Sequence, residues 1–292
     1  MPLSSLPHLT RAQAPLTCEV DAVNEYGEAQ KVAIPAERAL TVYVDKRELV
    51  TLMTLGAHPE LLVLGYLRNQ RLVRQVGDIE SITVDWDVGA AAVKTRHGIA
   101  DIEEKTSKRV VTTGCGQGSV FGGLMDEVDQ IVLPAAAHIT QGQLYSLVNT
   151  IRLKETTYKS AGSVHACALF AMTAGDPEML LFVEDVGRHN AIDTIAGWMS
   201  MQDSAVSEAN KVFYTTGRLT SEMVIKSAQM GVPIVISRSG ITQMGHQVAQ
   251  AVGLCAIGRA TNKRFVCYSS TQRLHLQPEL AGPKLRTPAD AA

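Results

Sequence analysis

The sequence predicts a layered α/β protein with a smaller β-rich part at its N-terminal side. Three observations carry this. From about residue 126 onward, apolar strand-like runs alternate with helical patterns, which implies helices packed on a sheet. Before residue 110 the patterns are mostly strands, with one short helix among them. Hydrophobic residues make up 46% of the 292-residue chain and charged residues 19%, as in an ordinary globular core with a polar surface. The expected organisation is a flexible arm at 1–15, a β-rich part at 16–110, a mobile cysteine loop at 111–125, an α/β domain at 126–276 and a disordered tail at 277–292.

Residues 1–15 are polar and proline-punctuated, hence the arm. Residues 39–44 are β-branched and aromatic and predict a strand. The charged Asp45-Lys46-Arg47 turn ends it, and residues 48–55 predict a second strand, together a hairpin. Residues 58–67 predict a short buried helix with Pro59 in its first turn, where the missing N–H is not needed. Ile82, Val84 and Trp86 alternate with polar residues, as in a strand. Lys105, Lys108 and Arg109 are either a solvated face or cations that lower a nearby thiol pKa. Further on, helices are predicted at 141–155, 191–201, 221–230 and 242–252. Strands are predicted at 179–183, 211–215, 232–237 and, last, 264–268, and an apolar run spans 165–172.

The formal net charge of −2 gives no reason to invoke nucleic acid or an acidic membrane surface. No apolar run approaches the ~20 residues that span a bilayer, and the N-terminal residues lack a secretory pattern, so the expected location is cytoplasmic. The cysteines are Cys18, Cys115, Cys167, Cys255 and Cys267. An odd number, wide spacing and no CxxC argue against a disulfide framework or a zinc knuckle. Cys167, Cys255 and Cys267 lie in apolar runs and are expected in the core.

Cys115 differs. It sits between Gly114 and Gly116, with Gly118, Gly122 and Gly123 following. Glycine permits positive φ and close approach, so the loop can present one thiol; a tight turn that merely contains a cysteine is the alternative. Glu184-Asp185-Val186-Gly187-Arg188-His189-Asn190 is the densest polar cluster. It follows a strand and precedes a helix, where open α/β sheets bind ligands. Capping alone would need one such residue, so a site is favoured. Gly217-Arg218 and Ser237-Arg238-Ser239 repeat the arrangement of strand end, turn, arginine and helix start. Such turns suit an anionic ligand, although each alone is also a capped loop with a solvated arginine. His165 follows a glycine turn. It and His189 are candidate acid–base groups or structural histidines. Arg259-Ala260-Thr261-Asn262-Lys263-Arg264 is either a plain basic turn or a further phosphate contact. A zinc deaminase needs H/C-x-E followed by P-C-x-x-C, and neither pattern is present, nor is a Walker or GxGxxG loop.

These residues resemble the FdhD family, the sulfurtransferases needed for formate dehydrogenase activity. The resemblance rests on Glu184 to Asp193, on Gly217-Arg218 with Ser221-Glu222-Met223-Val224, on Gly162 with Val164-His165-Ala166, and on the cysteine loop, within about residues 38–270. It implies a core similar to cytidine deaminases but without zinc. It implies that Cys115 takes sulfur from a cysteine desulfurase as a persulfide and passes it to the molybdenum of bis(molybdopterin guanine dinucleotide), bis-MGD, destined for formate dehydrogenase. It implies cofactor binding near the final turn, which here matches Arg259 to Arg264. From the residues themselves, Arg188, Arg218 and Arg238 are further candidates for cofactor contact, and Asp185, His165 and His189 are candidates to shape the site. A homodimer is also implied. Many members carry C-x-x-C in the loop, and here Gly118 stands at the second position, which leaves one thiol. The alternative is a non-catalytic chaperone that delivers the cofactor. A nucleotide hydrolase of deaminase type is the third reading.

Overall fold

The computed structural model describes residues 6–99, 110–111, 118–119, 128–154, 156–202 and 210–282. Cys115 lies outside these residues.

The N-terminal part is a five-stranded sheet and an attached hairpin. β1 (His8–Leu9) is followed by the hairpin of β2 (Thr17–Val23) and β3 (Ala29–Pro35), then β4 (Arg38–Val44) and β5 (Arg47–Thr54). Helix α1 (Pro59–Asn69) comes next, then β6 (Ile79–Asp85) and β7 (Ala90–Thr95), giving the order β1-β6-β7-β4-β5. The predicted β4–β5 hairpin forms because Asp45 and Lys46 take φ of 47° and 72°, the left-handed pair that matches strand twist. The Asp45 carboxylate fixes that turn by accepting from the Thr95 backbone N–H and hydroxyl. Leu40, Val42 and Val44 point inward under α1, and burying each contributes roughly 1.5–3 kcal/mol.

Two short strands, β8 (Val110–Val111) and β9 (Gly118–Ser119), pair antiparallel on either side of residues 112–117. The C-terminal part then opens with β10 (Ile139–Thr140), α2 (Gln141–Leu153) and α3 (Thr157–Ala161). Its core elements are β11 (His165–Ala171), β12 (Glu178–Asp185), α4 (Arg188–Ser200), β13 (Lys211–Thr215), α5 (Ser221–Gln229), β14 (Ile234–Ser237), α6 (Gln243–Ala251), β15 (Cys255–Thr261), β16 (Arg264–Cys267) and β17 (Leu274–His275). Six strands form one sheet in the order β12-β11-β13-β14-β15-β16. β13, β14 and β15 are parallel, linked by α5 and α6 as two βαβ units. One face of this sheet, with Cys167, Leu169, Phe213 and Val235, packs on α4, α5 and α6. The other, with Phe170, Tyr214, Ile236 and Cys255, packs with α2.

The two parts meet through helices. α4 is buried from Arg188 to Gly197, lying between the six-stranded sheet and α1. At the crossing a Cβ on Gly65 would sit 1.6 Å from the Asp193 carbonyl oxygen, and one on Gly197 would sit 1.9 Å from that of Leu61. Only glycine permits this approach. The order is thus α2, six-stranded sheet, α4–α6, α1, five-stranded sheet.

The predicted mixed α/β class with a β-rich N-terminal part therefore stands, and several boundaries differ. α4 starts at Arg188, so Arg188-His189-Asn190 is its first turn and not the loop before it. Gly258 to Thr261 belongs to β15, which leaves only Asn262-Lys263 as the turn. β16 is followed by β17, which pairs with β10. Within the arm, His8 and Leu9 pair with β6. At the tail, the Gln277 N–H donates to the Gln141 side chain, so 277–282 is anchored, and 283–292 lies outside the described residues.

Candidate functional site

β11 begins at the edge of the six-stranded sheet where β12, β13 and β14 end. His165 pairs with Asp185, Cys167 with Thr215, and Thr215 with Ser237. The segments singled out from the sequence therefore share one edge. The turns are tied by their small polar residues. Ser237 Oγ donates to the Gly217 carbonyl at 2.6 Å, and Ser239 Oγ to that of Thr216 at 3.1 Å. The Arg238 N–H reaches the Thr215 carbonyl, and the Arg259 N–H the Ser239 carbonyl at 2.6 Å. A fixed backbone thus projects Arg218, Arg238 and Arg259, all exposed. None of the three has an ion-pair partner among the described residues. The starts of α4 and α5 face the same edge and carry no side-chain cap, so their N–H dipoles add positive potential.

Arg188 is buried, with its stem against Gly217, where a Cβ would sit 2.7 Å from Arg188 Cδ. His165 is half-buried. Burial first, then the Arg188 and Arg218 guanidinium groups, hold it below the usual histidine range, so it is neutral at pH 7.

The rest of the dense cluster is internal scaffolding. The Asp185 carboxylate accepts from Thr54 Oγ1, the Leu55 N–H, the Gly187 N–H and Asn190 Nδ2. Asn190 also donates to the Met53 carbonyl. Together they tie the end of β12 to the end of β5. Burial raises the Asp185 pKa against the pull of these bonds. Glu184 accepts from the Thr157 and Tyr158 N–H groups and so starts α3. His189 is buried beside a charge cluster of Asp193, Lys226 and Glu222, with Nδ1 3.5 Å from Glu222 Oε2. Burial, then Lys226, push its pKa down to about 3. Asp185 and His189 therefore shape the edge from within, whereas Arg218 and Arg238 present themselves to solvent.

The β15–β16 hairpin overhangs this edge. Its Arg259, Thr261, Lys263 and Arg264 line a cleft of about 710 Å³, faced by Gln141 and Tyr145 of α2. The Tyr145 hydroxyl donates to the Lys263 carbonyl at 3.1 Å and accepts from Gln141 Nε2 at 2.8 Å, which fixes the cleft wall. Asn262 takes φ of 50° at the tip. Ala260 is buried and lines no part of the cleft. The cleft and the arginine turns meet at Arg259. Sequence reasoning missed Gln141 and Tyr145, because nothing local marks a helix face that a segment over 100 residues away completes.

Among the described residues, no group of three His, Cys, Asp or Glu side chains is placed to hold a metal ion, and no helix is long and apolar enough to cross a membrane. Cys167 is fully buried, bonded to Thr215 and pushed up to about 12 by burial. Cys255 is buried, Cys267 half-buried, and Cys18 exposed on β2.

The sequence profile of the FdhD/NarQ family matches residues 35–275. The chain belongs to the FdhD/NarQ family. Within it, the chain is 31% identical over 252 residues to the sulfur carrier protein FdhD of Bacillus subtilis, covering 86% of this chain and 94% of that one. It is 27% identical over 254 residues to the sulfur carrier protein FdhD of Listeria innocua, covering 86% and 95%. A crystal structure from Desulfotalea psychrophila, assigned there as a formate dehydrogenase accessory protein, superposes with a TM-score of 0.69 at 22% identity, over 89% of this chain and 100% of that one. That likeness shows a shared fold at low sequence identity.

Proposed function

We propose that the chain is a sulfur carrier for formate dehydrogenase maturation. Cys115 accepts sulfur from a cysteine desulfurase and delivers it to bis-MGD, the substrate of the second step. In the first step the Cys115 thiolate attacks the outer sulfur of the donor persulfide, that S–S bond breaks, and the donor leaves as a thiolate. The observation that carries the reading is the single edge at which Arg218, Arg238 and the basic hairpin converge. Exposed guanidinium groups beside uncapped helix starts suit the pyrophosphates of a guanine dinucleotide. The names of the FdhD relatives support sulfur carriage. The other thiols are weaker candidates: Cys167 is enclosed and stays protonated, and Cys255 is buried. The reading includes a deaminase-like core, cytoplasmic location and assembly as a homodimer.

The decisive experiment is persulfide mapping by mass spectrometry after incubation with a desulfurase and cysteine. Cys115 carries the added sulfur, and Cys115→Ala folds with an unchanged circular dichroism spectrum and carries none. A persulfide found only on Cys18, Cys167, Cys255 or Cys267 would refute the assignment. Full formate dehydrogenase activation by Cys115→Ser would favour the non-catalytic chaperone.

A further inference from the structure

We propose that Cys255 and Cys267 are a redox-active dithiol that closes to a cross-strand disulfide at the base of the β15–β16 hairpin. Their Sγ atoms lie 3.8 Å apart on neighbouring antiparallel strands. Cys267 pairs with Ile257, so Cys255, two residues earlier, shares its face of the sheet. That face packs among Ile257, Leu274 and Phe265. Cys255 is fully buried, and Cys267 is half-buried on β16, the outermost strand. Cys267 is thus the less enclosed of the two thiols, and Cys255 lies deeper. A disulfide requires the sulfurs to come to about 2.05 Å, an approach of roughly 1.8 Å from their present separation.

The two thiols are also unequal. The contact with Cys255 holds Cys267 below the ordinary thiol range, whereas the same contact and burial drive Cys255 well above it. Cys267 is accordingly the attacking group and Cys255 the resolving one.

The oxidant is a low-molecular-weight disulfide of the glutathione class. The Cys267 thiolate attacks one of its sulfurs, the oxidant's S–S bond breaks, and one thiolate leaves with the electron pair. Cys255 gives up its proton and attacks Cys267 Sγ. The mixed disulfide breaks, and the second thiolate leaves. Two protein thiols lose two electrons and two protons, and the oxidant becomes two thiols. Excess reduced thiol reverses the reaction, as a reversible intracellular disulfide requires. The bond closes the end of the hairpin opposite the Asn262-Lys263 turn, and so fixes the two strands that hold Arg259 and Arg264 over the cleft. The proposal does not depend on the sulfur-carrier reading.

The test equilibrates the full chain with mixtures of reduced and oxidised glutathione, quenches with acid, alkylates free thiols and maps peptides without reductant. The expected product is a peptide pair joined through Cys255 and Cys267, two hydrogens lighter than the separate peptides. It grows with the oxidised fraction and disappears with dithiothreitol. In Cys255→Ser, Cys267 stops at the glutathione adduct. Wild-type protein with both cysteines alkylated at the most oxidising ratio would overturn the proposal. So would Cys267 joined to Cys18 or Cys115, or a lasting glutathione adduct on wild-type Cys267.

Discussion

The seam between α1 and α4 and the sheet edge at Arg218 and Arg238 treat charge in opposite ways. Beside the seam the charges of Asp193, Lys226 and Glu222 are enclosed and paired with one another. Lys226 Nζ lies 2.9 Å from Asp193 Oδ2 and 3.4 Å from Glu222 Oε1, and Asn69 donates to the other Asp193 oxygen at 2.6 Å. At the edge the charges are exposed, and the surrounding turns bond to one another through backbone and serine hydroxyls, not to the guanidinium groups. Polar residues gathered at one sheet edge thus do different work. Asp185, Asn190 and Asp193 assemble the molecule, and Arg218 and Arg238 are left exposed to something outside it.

The comparison breaks most visibly at Lys226. Lys226→Met leaves two buried carboxylates without their cation and should cost about 3–5 kcal/mol in urea denaturation. A loss below about 1 kcal/mol would mean that the seam carries no buried charge requirement. Gly197→Ala forces the helix backbones apart and should cost about 1–3 kcal/mol by overpacking, measured the same way.

A pH series sharpens the contrast through His189. Its folded pKa lies near 3, below the ordinary 6.5, so the unfolded chain binds a proton that the folded chain refuses between those values. The stability it contributes is complete above pH 6.5 and is lost as pH falls towards 3. Between pH 7 and 5 the wild type should lose about 1–2 kcal/mol more than His189→Gln. Equal losses would remove His189 from the account.

At the edge the expectation reverses. Arg218→Ala and Arg238→Ala should leave the melting temperature unchanged, and each should weaken GDP binding about tenfold in calorimetry, the loss of roughly 1.5 kcal/mol of charge-assisted bonding. The smallest effect belongs to Lys94→Ala, which removes an exposed pair with Glu80 and should cost under about 0.5 kcal/mol.

Legibility in the sequence followed burial. β13 is buried along its whole length, and its apolar run gave both ends correctly. β2 and β3 bury neither face well, and the alternation of Cys18, Val20 and Ala22 with Glu19 and Asp21 is a short, weakly apolar signal. In β7, Ala90, Ala91 and Ala92 mask the alternation that the structure reveals. At the site, the shared edge of the arginine turns was legible because each followed a strand. The inward role of Asp185 was not, since its partners Thr54 and Leu55 lie about 130 residues away. The same holds for Asn69 and Asp193. Local sequence shows that a residue is polar, and only the packed chain shows which way it is turned.

The bare crossing of Gly65 on Gly197 has a consequence for how such a protein can be cut or recombined. With main chain resting on main chain, no side chain is left to repack and heal a mismatched junction. The β-rich portion is therefore not a detachable module. A chimera that exchanged it between relatives would have to bring α1 and α4 across as a matched set, and a truncated α/β half made alone would carry a groove cut for a helix it no longer has.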